Sequence, residues 1–284
     1  MTPAACAVAL VTFAAAAPAP MALSLQSRSQ RPGELVVVSI ALTETADAVR
    51  VRALDTDIAA YRVGDRAWRA LVGIDLDVKP GSYPVTVTAI RDAHTVTAAV
   101  ALVVTRRVFR TRRLAVRDAF VTPPPDAQAR IADEARLLAG VWASSAHHRH
   151  WSTAFVRPVP GEANSAFGTR SVFNGQPRNP HGGADFLSGA GTPVHAPNAG
   201  HVAVARDLYF SGNTVVIDHG LGLFSLLAHL SAMDVHDGDD VAAGQVIGLV
   251  GATGRVTGPH LHWAVRAAGA RIDPLSLLAM VGQP

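Results

Sequence analysis

The 284 residues carry 25 Lys and Arg against 22 Asp and Glu, a formal charge of +3. So small and scattered a surplus excludes an electrostatic case for a nucleic-acid partner, although the arginines would suit an anionic polymer such as a cell wall. A chain that is 49% hydrophobic and 17% charged is not disordered, and its length leaves room for two domains. The sole cysteine, Cys6, lies in a segment expected to be removed, so the mature chain should hold no disulfide and no cysteine-based zinc site.

Taken in order, Ala4 to Ala17 is an apolar run followed by Pro18-Ala19-Pro20-Met21-Ala22. It is too short to span a bilayer, and the small residues Ala17, Ala19 and Ala22 offer cleavage sites. Residues 1–22 therefore read as a secretory signal peptide, with no membrane span after its removal and a mature start between Pro18 and Leu23. Residues 23–116 hold short alternating runs: Glu34 to Leu42, Val49 to Leu54, Trp68 to Val78, Tyr83 to Ile90 and Thr95 to Thr105. Such runs, punctuated by turns such as Pro80-Gly81-Ser82, predict a β-sandwich-like N-terminal domain. Asp55, Asp57, Asp75 and Asp77 read as solvated turn or strand positions.

Residues 117–154 change character. Thr122-Pro123-Pro124-Pro125 is a stiff break, Asp126 a candidate N-cap, and Ile131, Ala135, Leu138 and Trp142 share a helical face. This predicts a helical linker. His147, His148 and His150 follow, with Trp151, just before the next domain. They read first as a solvated linker, with metal binding as one alternative and a regulatory approach to that domain's cleft as another. Residues 155–284 are rich in glycine and strands: Gly200 to Ala205, Gly212 to His219, Leu223 to Leu230, Val246 to Val250 and His260 to Arg266. No helical period intervenes until Pro274 to Met280. The fold class is thus mostly β, ending in an antiparallel all-β domain with functional residues at strand ends and loops.

Two stretches of that last domain carry chemistry: His181-Gly182-Gly183-Ala184-Asp185 and Gly258-Pro259-His260-Leu261-His262-Trp263. Residues i and i+2 of a strand point to one side, so His260 and His262 should share a cleft. His181 and Asp185, four apart, share a face in a strand or a helix, and the double glycine argues against the helix. Two imidazoles and a carboxylate that leave one position open are the donor set of a catalytic zinc, with one imidazole left over for proton work.

The sequence resembles the lysostaphin-type, or LytM-type, zinc endopeptidases that cut peptidoglycan cross-links. The resemblance rests on His181-x-x-x-Asp185, Ala228-His229-Leu230-Ser231 and Thr253-Gly254-x-x-x-Gly258-Pro259-His260-Leu261-His262. Phe167-Gly168-x-Arg170, Gly191-Thr192-Pro193-Val194, Gly212-Asn213-x-Val215 and Asp218-His219-Gly220 support it, over about residues 155 to 275. It implies that His181, Asp185 and His262 bind Zn2+ and that His229 and His260 are the catalytic imidazoles. One would act as base and the other as oxyanion donor; His260 is assigned the first role and His229 the second, with the exchange left open. Many members have Tyr where this chain has Leu227, so a hydroxyl is expected to be missing near the site. The implied function is hydrolysis of amide bonds in peptidoglycan cross-links by an exported, periplasmic or wall-associated enzyme. The alternative is a catalytically silent wall-binding activator of a partner amidase.

Overall fold

The computed structural model describes residues 19–115, 121–164 and 167–281. The first seven strands are β1 (Met21–Gln26), β2 (Leu35–Leu42), β3 (Ala48–Ala53), β4 (Thr56–Gly64), β5 (Ala67–Gly73), β6 (Gly81–Arg91) and β7 (His94–Val104). They form one antiparallel sheet in the order β1-β2-β5-β4-β3-β6-β7. The sheet folds over so that β1 lies against β7. Alternate residues such as Val36, Val38, Val49, Val51, Val85 and Val87 turn inward to build its core.

Two features of this region depart from the sequence expectations. β4 has only Ile58 buried, so it lacks the apolar alternation that marks a strand. Met21 and Ala22, assigned to the leader, belong to β1, paired with Leu42 and Ala41, and Met21 is 5% exposed. The rest of the expected leader, residues 1–18, lies outside the described residues.

β8 (Thr111–Leu114) then runs parallel to β10 (Arg170–Phe173), the single parallel pair among the described strands. Helix α1 (Pro125–Ala143) starts two residues earlier than an Asp126 cap would allow. Pro125 takes the first helical position, where its missing N–H costs nothing, and Asp126 falls inside the first turn, where its charge favours the helix dipole. The packed face of α1 is Leu137, Leu138, Val141 and Trp142, set against Val204, Val216 and Phe224. Leu138 and Trp142 were expected there; Ile131 and Ala135 are not part of it.

The C-terminal half contains β9 (Ala163–Asn164), β10, β11 (Gln176–Pro177), β12 (Gly183–Phe186), β13 (Pro193–His195), β14 (Gly200–Leu208), β15 (Gly212–Gly220) and β16 (Leu223–Met233). β17 (Asp240–Val241), β18 (Val246–Val250), β19 (Leu261–Ala267), β20 (Ala270–Ile272) and α2 (Pro274–Val281) complete it. The main sheet runs β17-β14-β15-β16-β19-β12-β9, with β18 pairing β16 and β13, and β20 pairing β19. All its pairs are antiparallel. The core beneath it is Phe186, Ile217, Leu227, Leu230, Trp263 and Leu277, and it also takes in Leu35, Val37 and Leu71 from the first sheet.

The two sheets therefore share one apolar core, and polar ties reinforce the seam. Glu34 accepts from Arg28 and Ser276, and Leu35 N donates to Ser276 Oγ. Asp75 is not a solvated turn residue: it accepts from the Arg271 backbone and from its guanidinium at 2.6–3.0 Å. Burial opposes its ionisation, but the Arg271 bonds outweigh that and hold its carboxyl below the usual range. No helix among the described residues is long and apolar enough to cross a membrane.

Candidate metal centre

β12 and β19 are neighbours, and Asp185 stands opposite His262 in their register. A residue pair directly opposite in an antiparallel ladder puts both side chains on one face. Asp185 Oδ1 lies 3.0 Å from His262 Nδ1 and 3.1 Å from His181 Nε2, and the two imidazole nitrogens are 3.0 Å apart. His181 arrives from the loop before β12, its backbone N–H donating to Thr169 O. Gly183 makes this convergence possible: a Cβ there would lie 2.4 Å from Trp263 O and 2.7 Å from the His262 ring. The double glycine thus ruled out a helix and, at its second position, leaves room for the ligand ring.

The three donor atoms form a nearly equilateral triangle. Tetrahedral zinc ligands at 2.0–2.1 Å from the ion would be separated by roughly 3.3 Å, so the set fits such an ion with a small opening of the triangle. Among the described residues it is the one group of three or more His, Cys, Asp or Glu side chains close enough to share a metal. Burial disfavours the Asp185 carboxylate, yet bonds from His181 and His262 hold its carboxyl far below the usual range. Burial likewise pushes His262 down, towards the neutral imidazole that a metal requires.

His260 and His229 flank this triangle. His260 Nε2 is 3.7 Å from Asp185 Oδ1, and its ring centroid is 4.9 Å from that of His229. The His229 ring is 5.9 Å from His262. His260 precedes β19, held by a bridge to Gly251, so it shares the cleft with His262 as expected. His229 gets there differently. Between the pairs Val215↔Leu227 and Asn213↔Leu230, two residues of β16 oppose one of β15. This is a bulge, and His229 sits in it at φ 68°, a left-handed conformation uncommon outside glycine. Strict alternation from the core residue Leu227 would have aimed His229 at the core; the bulge turns it to the cleft.

Both imidazoles have a carbonyl at Nδ1: Thr253 O for His229 at 3.0 Å and Gly258 O for His260 at 2.9 Å. A carbonyl only accepts, so Nδ1 carries the proton and Nε2 keeps its lone pair in the neutral ring. Burial, then the neighbouring His262, pushes the His229 pKa down to about 4. Neutral His229 therefore has no proton at Nε2 with which to serve as the expected oxyanion donor; that role requires its imidazolium. Leu227 is fully buried among Val215, Trp263 and the core, on the face away from the cleft. A tyrosine hydroxyl on that side chain's path would not enter the site.

The remaining histidines are placed elsewhere. His219 is buried between Ala199 O and Ser225 Oγ, His195 meets Gly244 O, and His201 and His236 meet Asp240 and Asp239 at the surface. The linker histidines do not approach the cleft. His150 N donates to His219 O, and Ser145 and Ala146 bind Asp218, at the end of β15 that pairs with Leu223. The site lies at Ala228, five residues along β16 and roughly 17 Å away at strand rise. Trp151, 3% exposed, packs on Tyr61 and Phe155 inside the shared core.

An antiparallel sheet presenting His, Asp and His on one face, with two further imidazoles beside them, defines the class: a β-sheet metallohydrolase site. Residues 179–274 match peptidase family M23. The crystal structure of a protein described as peptidase M23 from Pseudomonas aeruginosa aligns at 32% identity and a TM-score of 0.69, over 90% of this chain and 96% of that one. The chain belongs to peptidase family M23, a metallopeptidase family. Among curated relatives, the peptidoglycan DD-endopeptidase ShyA of Vibrio cholerae is 44% identical over 96 residues, 34% of this chain and 22% of that protein. The DD-carboxypeptidase/endopeptidase Mpg of Neisseria meningitidis is 43% identical over 97 residues, with the same shares. The match thus spans about a fifth of the length of those relatives.

Proposed function

We propose that this chain is a zinc-dependent endopeptidase hydrolysing D,D-amide bonds in peptidoglycan peptide cross-links. The observation that carries the reading is the His181–Asp185–His262 triangle with two imidazoles whose Nε2 atoms are free to exchange protons. The named activities of the relatives supply the substrate class. Bound zinc would polarise the scissile carbonyl and acidify water. His181 Nε2, Asp185 Oδ1 and His262 Nδ1 would hold it.

The protein groups do the rest. His260, whose Nε2 lies 3.7 Å from Asp185 Oδ1, takes the proton of the attacking water. His229, once protonated at Nε2, donates to the developing oxyanion. The proton held by His260 then passes to the leaving amine. Acid–base help of this kind contributes roughly 10²–10⁴-fold. A substrate in the cell wall puts the protein in the periplasm or at the wall, consistent with an exported precursor. In this reading the N-terminal region (23–116) and the linker (117–154) support the catalytic unit (155–284). A catalytically silent activator would leave the five-residue constellation without work. Clearing of a peptidoglycan-loaded gel by the purified chain, lost on chelation and regained with zinc, is the expected result. A clearing band indifferent to chelation would contradict the metal's role.

A further inference from the structure

We infer that Thr253 is a positioning residue for His229, acting through the tautomer and backbone of that imidazole; the inference rests on the catalytic reading of His229. Three bonds converge on Thr253. Its carbonyl accepts from His229 Nδ1 at 3.0 Å, its hydroxyl donates to Leu230 O at 2.8 Å, and the same hydroxyl accepts from Asn213 N at 2.9 Å. The hydroxyl thus ties the loop after β18 to both strands that flank the bulge: β15 at its first turn and β16 one residue beyond His229.

The backbone around it leaves no slack. Gly212 and Gly254 stand back to back, both at positive φ: a Cβ on Gly212 would be 2.3 Å from Thr253 Oγ1, and one on Gly254 would be 2.4 Å from Gly212 N. On the other side, His229 N donates to Ser211 O at 2.9 Å. A left-handed, non-glycine residue persists only where its surroundings over-determine it. Here Ser211 holds the His229 amide, Thr253 O holds its ring, and the Thr253 hydroxyl holds Thr253. Without the hydroxyl, Leu230 O and Asn213 N lose their shared partner and the loop is free to drift. The Nδ1–H bond to Thr253 O then weakens, the neutral ring's proton redistributes towards Nε2, and the ring loses the fixed orientation from which its protonated form donates to the oxyanion.

The test compares Thr253→Val, which keeps the shape and removes the hydroxyl, with Thr253→Ser, which keeps the hydroxyl. Nitrogen NMR of the imidazoles reads the tautomer, metal analysis reads the ligand site, and kcat and KM are taken on a cross-linked muropeptide dimer. For Thr253→Val the expected result is mixed Nδ1–H and Nε2–H forms of His229, full metal content, and kcat lower by roughly 10- to 100-fold with KM within about twofold. Thr253→Ser should keep the wild-type tautomer and rate. An unchanged tautomer in Thr253→Val, or a Thr253→Ser variant as impaired as Thr253→Val, overturns the inference. A shifted tautomer with unchanged kcat overturns instead the catalytic reading of His229, and the inference with it.

Discussion

At the residue scale, the two histidines of Gly258-Pro259-His260-Leu261-His262 look alike and should fail differently. His262 supplies one of three converging donors, so His262→Ala leaves two protein ligands and should lose metal and the stability coupled to it. His260→Ala removes a group 3.7 Å from Asp185 that is not in the triangle. Metal analysis should find one ion per chain in that variant, with activity down roughly 10²–10⁴-fold. Metal lost from His260→Ala and kept by His262→Ala would invert the assignment. Gly183→Ala makes a third case. A Cβ at 2.4 Å from Trp263 O must shift β12 or the His262 ring, so metal affinity should fall although no ligand is changed. Unchanged affinity by titration would show that β12 can yield. Much of this was legible beforehand: i, i+2 spacing paired His260 with His262, and the double glycine excluded a helix. The bulge that aims His229 was not. Two residues opposing one depends on the partner strand, and no local spacing encodes the partner's register.

At the element scale, β15 carries an ionisable group that the site does not use. His219 is fully buried, and burial pushes its pKa down to about 4 from the ordinary 6.5. Between those values the unfolded chain binds a proton that the folded chain refuses. Folding stability should therefore be complete above pH 6.5 and fall as pH drops towards 4, by about 3 kcal/mol from this group. His219→Gln should be less stable at pH 7, because Ser225 and Ala199 lose a fitted partner, but the gap to wild type should narrow on acidification. Denaturant titrations at pH 7 and 4.5 measure the gap; a gap of constant size would assign the acid loss to other groups. The same scale shows why some elements escaped prediction. β4 buries only Ile58, so its strand character comes from pairing with β3 and β5 and not from its own pattern. The Trp68 to Val78 run looked continuous, yet the strand stops at Gly73. There the chain meets β20: a Cβ on Gly73 would sit 2.7 Å from that of Ala270.

At the scale of the whole molecule, the sequence read as two β domains with a linker between them. Composition cannot show that Leu35, Val37 and Leu71 share a core with Trp263 and Leu277. That sharing implies one cooperative thermal transition for the full chain, which calorimetry can check; two separated transitions would mean the seam contributes little. Asp75→Asn removes a charge-assisted tie at the seam and should lower unfolding free energy by about 2 kcal/mol. A chain truncated to begin at Phe155 would expose the faces that Leu35, Val37, Leu71 and Trp151 now cover. It should melt lower and aggregate, and a change in its rate would not by itself report on access to the cleft.

Cleavage of peptide cross-links at this metal site is the proposed activity. Mass analysis of a purified dimeric muropeptide, incubated with the full chain and one equivalent of zinc, tests it most directly. The dimer should convert to two monomers that together gain one water, and chelation or His262→Ala should abolish the conversion. Dimer left intact by the zinc-loaded protein, or cleaved equally well after chelation, would contradict it.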